Sequence, residues 1–365
     1  MECPKILSGI FNVREEYLNA TVNRTNFTLE DHEYNMRKLK FIAYGIIGSI
    51  IICMGVLGNI INLAVLTRPN LKGVTFVYLT WLAISDLMTL VLGITSMLRL
   101  QGIQSTTYSA SLYYAYAELP LVNAFMASSV FLVVALTVDR YFSVCLPTKF
   151  KDIHNKRRAK RSIAMAYVIS FLIYIPICFQ KIPVEFVNSE NETVYVACEN
   201  PSVFKHPAFK IYLLVKELTV RLGPVVILAI LNVTIIVTFG KILRRRKEMF
   251  GNASLRREGS RKYTEEKRLI VLLCGIVVLF FVCMTPAALL TLLNSDDKEA
   301  NFSFQVFRSL ANVIELANFS MNFYVYCFCS SDIRRTFVGL ILRRNKTTDN
   351  NFRTRKGSLL KSTKL

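Results

Sequence analysis

A chain of 365 residues that is 53% hydrophobic yet carries a formal net charge of +20 does not read as one soluble globular domain. The two properties agree only if they are segregated, and here long windows nearly free of charge alternate with short basic loops, as bilayer-spanning helices require. The basic runs Arg244-Arg-Arg-Lys247 and Lys156-Arg-Arg158 adjoin apolar windows, where membrane lipid explains them better than a nucleic acid, so no nucleic-acid partner is expected.

Met1–Lys40 is polar and lacks an apolar h-region, so the first apolar window is expected to serve as its own signal-anchor. This tail holds sequons at Asn19, Asn23 and Asn26. Apolar windows come next at Phe41–Leu66, Val74–Leu98, Ala115–Val144, Ile163–Cys178, Tyr212–Thr238, Leu269–Leu292 and Phe304–Phe328. They predict an all-α membrane protein, a seven-transmembrane helix bundle, with a short amphipathic helix after the seventh span. The expected organisation is an extracellular glycosylated tail over 1–40, the bundle over 41–328, a membrane-surface helix over 329–342 and a disordered cytoplasmic tail over 343–365. With the N-terminus outside, inner segments hold about 31 of the 45 Lys and Arg residues, which fixes the orientation. The triple sequon cluster, with Asn191 and Asn301, falls on the outside in the same arrangement. Multi-pass insertion in the plasma membrane is the expected localisation.

Ordered landmarks run through the windows. The first holds Gly55-Val-Leu-Gly58-Asn59 and the second Leu82-Ala-Ile-Ser-Asp86-Leu87. The third ends in Asp139-Arg140-Tyr141, Pro176, Pro224 and Pro286 mark the next three, and the seventh holds Asn322-Phe-Tyr-Val-Tyr326. In this order and spacing they resemble the rhodopsin-like (class A) G-protein-coupled receptors over all seven spans. Leu66-Thr-Arg-Pro-Asn-Leu-Lys-Gly73 and Ser320-x-Asn-Phe-x-x-Tyr326-Cys327 are similar to the FMRFamide-receptor group of invertebrate neuropeptide receptors.

A mid-span carboxylate such as Asp86 is costly without partners. The resemblance implies that Asn59, Ser129, Asn318 and Asn322 face it, forming a sodium-and-water pocket with Asp86 and Ser129 as oxygen ligands; a protonated Asp86 bonded to the same groups is the alternative. Arg140 cannot lose its proton and needs a partner. Asp139 is adjacent, and the resemblance implies that Glu266 on span six locks Arg140 in an inactive state, with Tyr141 and Tyr326 completing a G-protein switch. Glu265 and Glu266 as simple helix-end charges are the plainer reading. The chain departs from the family where Met284 replaces a toggle tryptophan, Phe323 a proline, Asn232 a tyrosine and Tyr167 a tryptophan. The family's third-span cysteine is also missing, for its position reads Ala115, so the loop cysteine Cys198 is paired provisionally with Cys3.

Val122 stands where an amine receptor has aspartate, and Leu316 where an opsin has its lysine. A secreted, amidated, FMRFamide-like neuropeptide is left as the expected ligand. Glu118, Glu217 and Glu315 would meet its cation, with Tyr116 and Met284 in contact. Pairing of Glu217 with Arg221, one turn on, is the plainer alternative, whereas Glu315 has no partner nearby in sequence. A chemosensory receptor of the same fold for a non-peptide ligand is the second reading. The resemblance implies a heterotrimeric G protein as partner, with arrestin and receptor kinases acting at tail hydroxyls, and contact with membrane lipid. His32, His154 and His206 all lie in tails or loops, so no enzyme is expected, and no cofactor beyond the sodium ion.

Overall fold

The computed structural model describes residues 23–69, 71, 73–146, 155–187, 191–250, 259–293, 301–340 and 342. Span one runs His32–Leu66, span two Val74–Leu100, span three Tyr108–Cys145, span four Lys156–Phe179, span five Pro207–Arg245 and span six Lys267–Leu290. Each is long and apolar enough to cross a bilayer unaided. Span seven comes in two pieces, Phe302–Ser320 and Asn322–Cys329. It is less apolar because Arg308, Glu315, Asn318 and Asn322 lie along it.

Several helices outrun the apolar windows that announced them. Helix Asn23–Lys40 begins nine residues before span one and continues without a gap into the π-helical stretch Phe41–Ile47. Span four starts at Lys156, through a basic stretch where an apolar window could not begin. Lys and Arg are good helix formers, and the Asn155 side chain caps the extension by accepting a hydrogen bond from the Arg157 amide at 3.0 Å.

Each span turns one face inward. Leu79, Leu82, Leu132, Leu136, Ile235, Leu272 and Phe280 fill the common core, with span three central among spans two, four and five. Leu57, Ile60, Val226, Ile230, Val278 and Val282 are exposed, an outward apolar belt that suits lipid and not water. Lipid gives apolar helices no reason to associate, so close backbone approach matters. A Cβ on Gly55 would run into the Ser320 side chain and come within 2.6 Å of Leu90 Cδ1, and one on Gly58 would lie 3.1 Å from Phe323 Cβ. Spans one, two and seven therefore converge on Gly55.

Among the described residues three turns are π-helical: Phe41–Ile47, Tyr113–Ala117 and Leu218–Leu222. All lie in the halves of their spans nearest a β-hairpin that joins spans four and five, and each extra residue re-aims its neighbours. Strands β1 (Lys181–Val187) and β2 (Thr193–Glu199) pair antiparallel with Ile182 opposite Cys198. The Tyr195 amide donates to the Thr106 carbonyl at 2.8 Å, and the Tyr108 and Tyr195 rings meet edge to face at 5.2 Å. Those contacts hold the hairpin over the start of span three. Cys198 is disulfide-bonded, while Cys53, Cys145, Cys178, Cys274, Cys283, Cys327 and Cys329 are free thiols; Cys3, the candidate partner, lies outside the described residues. At the other end a helix covers 331–340, close to the amphipathic segment expected there. Its Ile333 is buried, Phe337 meets Phe323 edge to face at 5.4 Å, and Arg268 of span six donates to Asp332 at 3.1 Å.

Candidate functional site

Asp86 is fully buried at mid-span, and both carboxylate oxygens are satisfied. Ser129 Oγ donates to Oδ1 at 2.7 Å and Asn322 Nδ2 to Oδ2 at 2.6 Å. Beside them lies a cavity of about 10 Å³ lined by Leu82, Asp86, Ser129, Val130, Val133, Ile276, Phe280, Asn318 and Asn322. It has room for one water-sized particle. Asn322 reaches Asp86 because span seven breaks at Met321, although no proline stands there. Asn59 is elsewhere: its Nδ2 donates to the carbonyls of Gly55 (2.9 Å) and Phe319 (3.0 Å), tying span one to the loosened turn of span seven. Of the five residues grouped with Asp86 on sequence grounds, Asp86 itself, Ser129, Asn318 and Asn322 line the cavity and Asn59 does not. Tyr167, in place of the expected tryptophan, lies within hydrogen-bond distance of Ser85 (2.6 Å), and its ring meets Trp81 edge to face at 5.8 Å.

At the far end from the hairpin, Arg140 Nη2 donates to Asp139 Oδ2 at 2.9 Å, both side chains being largely buried. Arg140 Nε has no hydrogen-bond partner among the described residues. Tyr141 stacks edge to face on Phe142 at 5.9 Å. Tyr326 is fully buried, and its hydroxyl is likewise unpartnered among the described residues. Glu266 belongs to helix Gly259–Leu293, but its side chain lies outside the described residues.

Towards the hairpin, all three predicted carboxylates are paired within the chain. Glu118 is fully buried and accepts from Arg99 Nε of span two at 2.9 Å, with its second oxygen unpartnered among the described residues. Arg221 donates through Nη1 to Glu217 at 3.2 Å and through Nη2 to Glu315 at 2.8 Å. Lys216 Nζ also contacts Glu217, at 2.8 Å, and lies 5.7 Å from the centre of the Tyr174 ring. Glu315 is therefore not partnerless; its partner is 94 residues away on span five, a distance no local reading of the sequence spans. Removing Arg99 would strand the fully buried Glu118 charge, at about 3–5 kcal/mol. Met284 is sealed in the core rather than lining an open pocket, and Tyr116 is 40% exposed.

Residues 58–331, most of the chain, match the family described as "7 transmembrane receptor (rhodopsin family)". The chain belongs to the rhodopsin-like receptor family. Among its relatives, a "Probable G-protein coupled receptor" of Caenorhabditis elegans is 33% identical over 306 residues, 81% of this chain and 69% of its own length. The FMRFamide receptor of Drosophila melanogaster is 27% identical over 335 residues, 86% and 56% of the two chains. The pyroglutamylated RF-amide peptide receptor of Mus musculus is 21% identical over 354 residues, 90% and 79% respectively.

Rhodopsin-like receptors are receptors rather than enzymes, and two of the candidate glycosylation residues of this multi-pass member have described side chains. Asn191 is exposed in left-handed backbone at φ 62° in the hairpin turn. Asn301 is exposed and caps span seven, its side chain accepting from the Ser303 amide at 2.9 Å. Asn19, and the side chains of Asn23 and Asn26, lie outside the described residues. Sequence reasoning missed Arg99 as the partner of Glu118, and it used Arg221 only as a local neighbour of Glu217. For Arg221, a guanidinium in the apolar body of span five was the available signal; Arg99 lies in the last turn of span two, where a basic residue is ordinary.

Proposed function

We propose that this receptor binds a secreted, amidated, FMRFamide-like neuropeptide and promotes nucleotide exchange on a heterotrimeric G protein. The observation that carries the reading is the charge system around Arg221: Glu217 and Glu315, from spans five and seven, converge on one guanidinium within the half of the bundle that faces the hairpin. A site built to hold a guanidinium between carboxylates suits a ligand whose recognition element is itself an arginine. Relatives named as receptors for FMRFamide and RF-amide peptides support the same class. In this reading the hairpin end is extracellular at the plasma membrane, and the Arg140 end meets the G protein, with arrestin and receptor kinases acting on the C-terminal tail. The disposition of Lys and Arg supports that orientation.

The test is a calcium and cyclic-AMP readout in cells displaying the receptor, challenged with amidated peptides. Responses confined to peptides ending in Arg-Phe-amide are expected; silence across the panel, with receptor confirmed at the surface, would overturn the peptide reading. We further propose that the Asp86 cavity takes a sodium ion. Asp86, Ser129, Asn318 and Asn322 offer the oxygen donors a small hard cation prefers, and the ion would favour the resting arrangement of spans two, three and seven. The purified receptor should melt higher in sodium chloride than in choline chloride, and Asp86→Asn should erase the difference. No sodium effect on the unsubstituted receptor would refute the site.

A further inference from the structure

We propose that the Arg221–Glu315 ion pair is a latch across the ligand pocket, and that a guanidinium on the ligand opens it by taking the place of Arg221 on Glu315. This rests on the peptide reading above and adds how the ligand acts on the bundle. Span five packs mainly on span three, and span seven on spans six and one. The 2.8 Å contact between Arg221 and Glu315 therefore joins two helices that are not close packing partners. It restrains the bundle in a way that apolar packing does not.

Two features make exchange feasible. Arg221 already holds Glu217 at 3.2 Å. When another cation occupies Glu315, Arg221 keeps a carboxylate on its own helix and no buried charge is stranded. Lys216, 2.8 Å from Glu217, supplies a second cation to that carboxylate. Arg221 also sits in the π-helical turn Leu218–Leu222, and a Cβ on the adjoining Gly223 would lie 2.8 Å from the Leu218 carbonyl. The extra residue of that turn sets where Arg221 points, and the glycine lets the turn form.

The pairing also sets the ligand chemistry. A neutral ligand that parted Arg221 from Glu315 would leave a buried carboxylate unpaired, whereas a guanidinium replaces the lost bonds in kind. Glu315 and Asn318 lie one turn apart on the same helical piece, Phe302–Ser320, and Asn318 lines the cavity beside Asp86. A shift at Glu315 is thus handed to the centre of the bundle.

The experiment measures nucleotide exchange on a G protein in membranes holding the full-length receptor, normalised to surface receptor. Wild type is compared with Arg221→Gln, Arg221→Lys and Glu315→Gln. The probes are no peptide, a synthetic peptide ending in Arg-Phe-amide, and its twin with uncharged citrulline for arginine. Unliganded exchange should rise at least about threefold in the variants, since each loosens the state that the latch favours. Arg221→Lys keeps the charge but grips one carboxylate at a time, so it reports on the latch even where Arg221→Gln does not reach the surface. Wild type should prefer the arginine peptide by about tenfold or more, and Glu315→Gln should respond equally to both. Unchanged basal exchange in the variants that reach the surface overturns the latch. An undiminished arginine preference in Glu315→Gln overturns the exchange. A wild type deaf to both peptides, with basal exchange raised in the variants, removes the peptide reading and the guanidinium step together; that failure is distinct from loss of the latch.

Discussion

Asn62 shows most sharply what single residues contribute. It is fully buried in span one, and neither its Nδ2 nor its Oδ1 has a hydrogen-bond partner among the described residues. An orphaned buried polar group costs about 1–3 kcal/mol, and an apolar residue of similar shape avoids that cost. Asn62→Leu should therefore raise the melting temperature of the purified receptor; a fall would mean that the amide is hydrogen-bonded in the protein. The same scale shows where sequence reading succeeds. Asp86, Ser129 and Asn322 were legible because a buried carboxylate demands donors and the family spacing supplies them. Glu315 was legible as a buried acid but not as a paired one, because its partner is set by tertiary packing. Asn59 was assigned to the Asp86 pocket, yet it serves the Phe319 carbonyl instead. Opening span seven at Met321 created a competing acceptor that the linear pattern does not display.

At the scale of elements, hydrophobic windows located all seven spans but not their ends. Basic and polar extensions such as Lys156–Arg161 are helical through capping and propensity, neither of which a hydropathy window records. The π-helical turns were equally hidden, since one extra residue leaves composition unchanged while it rotates the rest of the helix. Packing at the meeting of spans one, two and seven turns on Gly55. Gly55→Val would force side-chain atoms into space held by Ser320 and Leu90, a strain worth about 1–3 kcal/mol. The variant should melt lower than wild type, and Ser320→Gly added to it should recover part of the loss. No change in melting would place spans one and seven farther apart than described.

For the whole molecule, the charge pattern divides labour between the two ends. Arg99, Glu118, Lys216, Glu217, Arg221 and Glu315 form internal pairs towards the hairpin. Asp139 and Arg140 pair at the other end, and the Asp86 cluster lies between. A two-state bundle of this kind responds only to a ligand that interacts differently with its two states. A cation that competes for Glu315 meets that requirement, because the ion pair it breaks belongs to one state. An arginine-bearing amidated peptide is thus proposed to drive nucleotide exchange through Glu315. The most direct measurement is the dose–response of G-protein nucleotide exchange to an Arg-Phe-amide peptide in membranes bearing wild type or Glu315→Gln at equal surface density. A potent wild-type response, shifted at least about tenfold to higher concentration in Glu315→Gln, is the predicted result. Superimposable curves for the two receptors would exclude Glu315 as the route of activation.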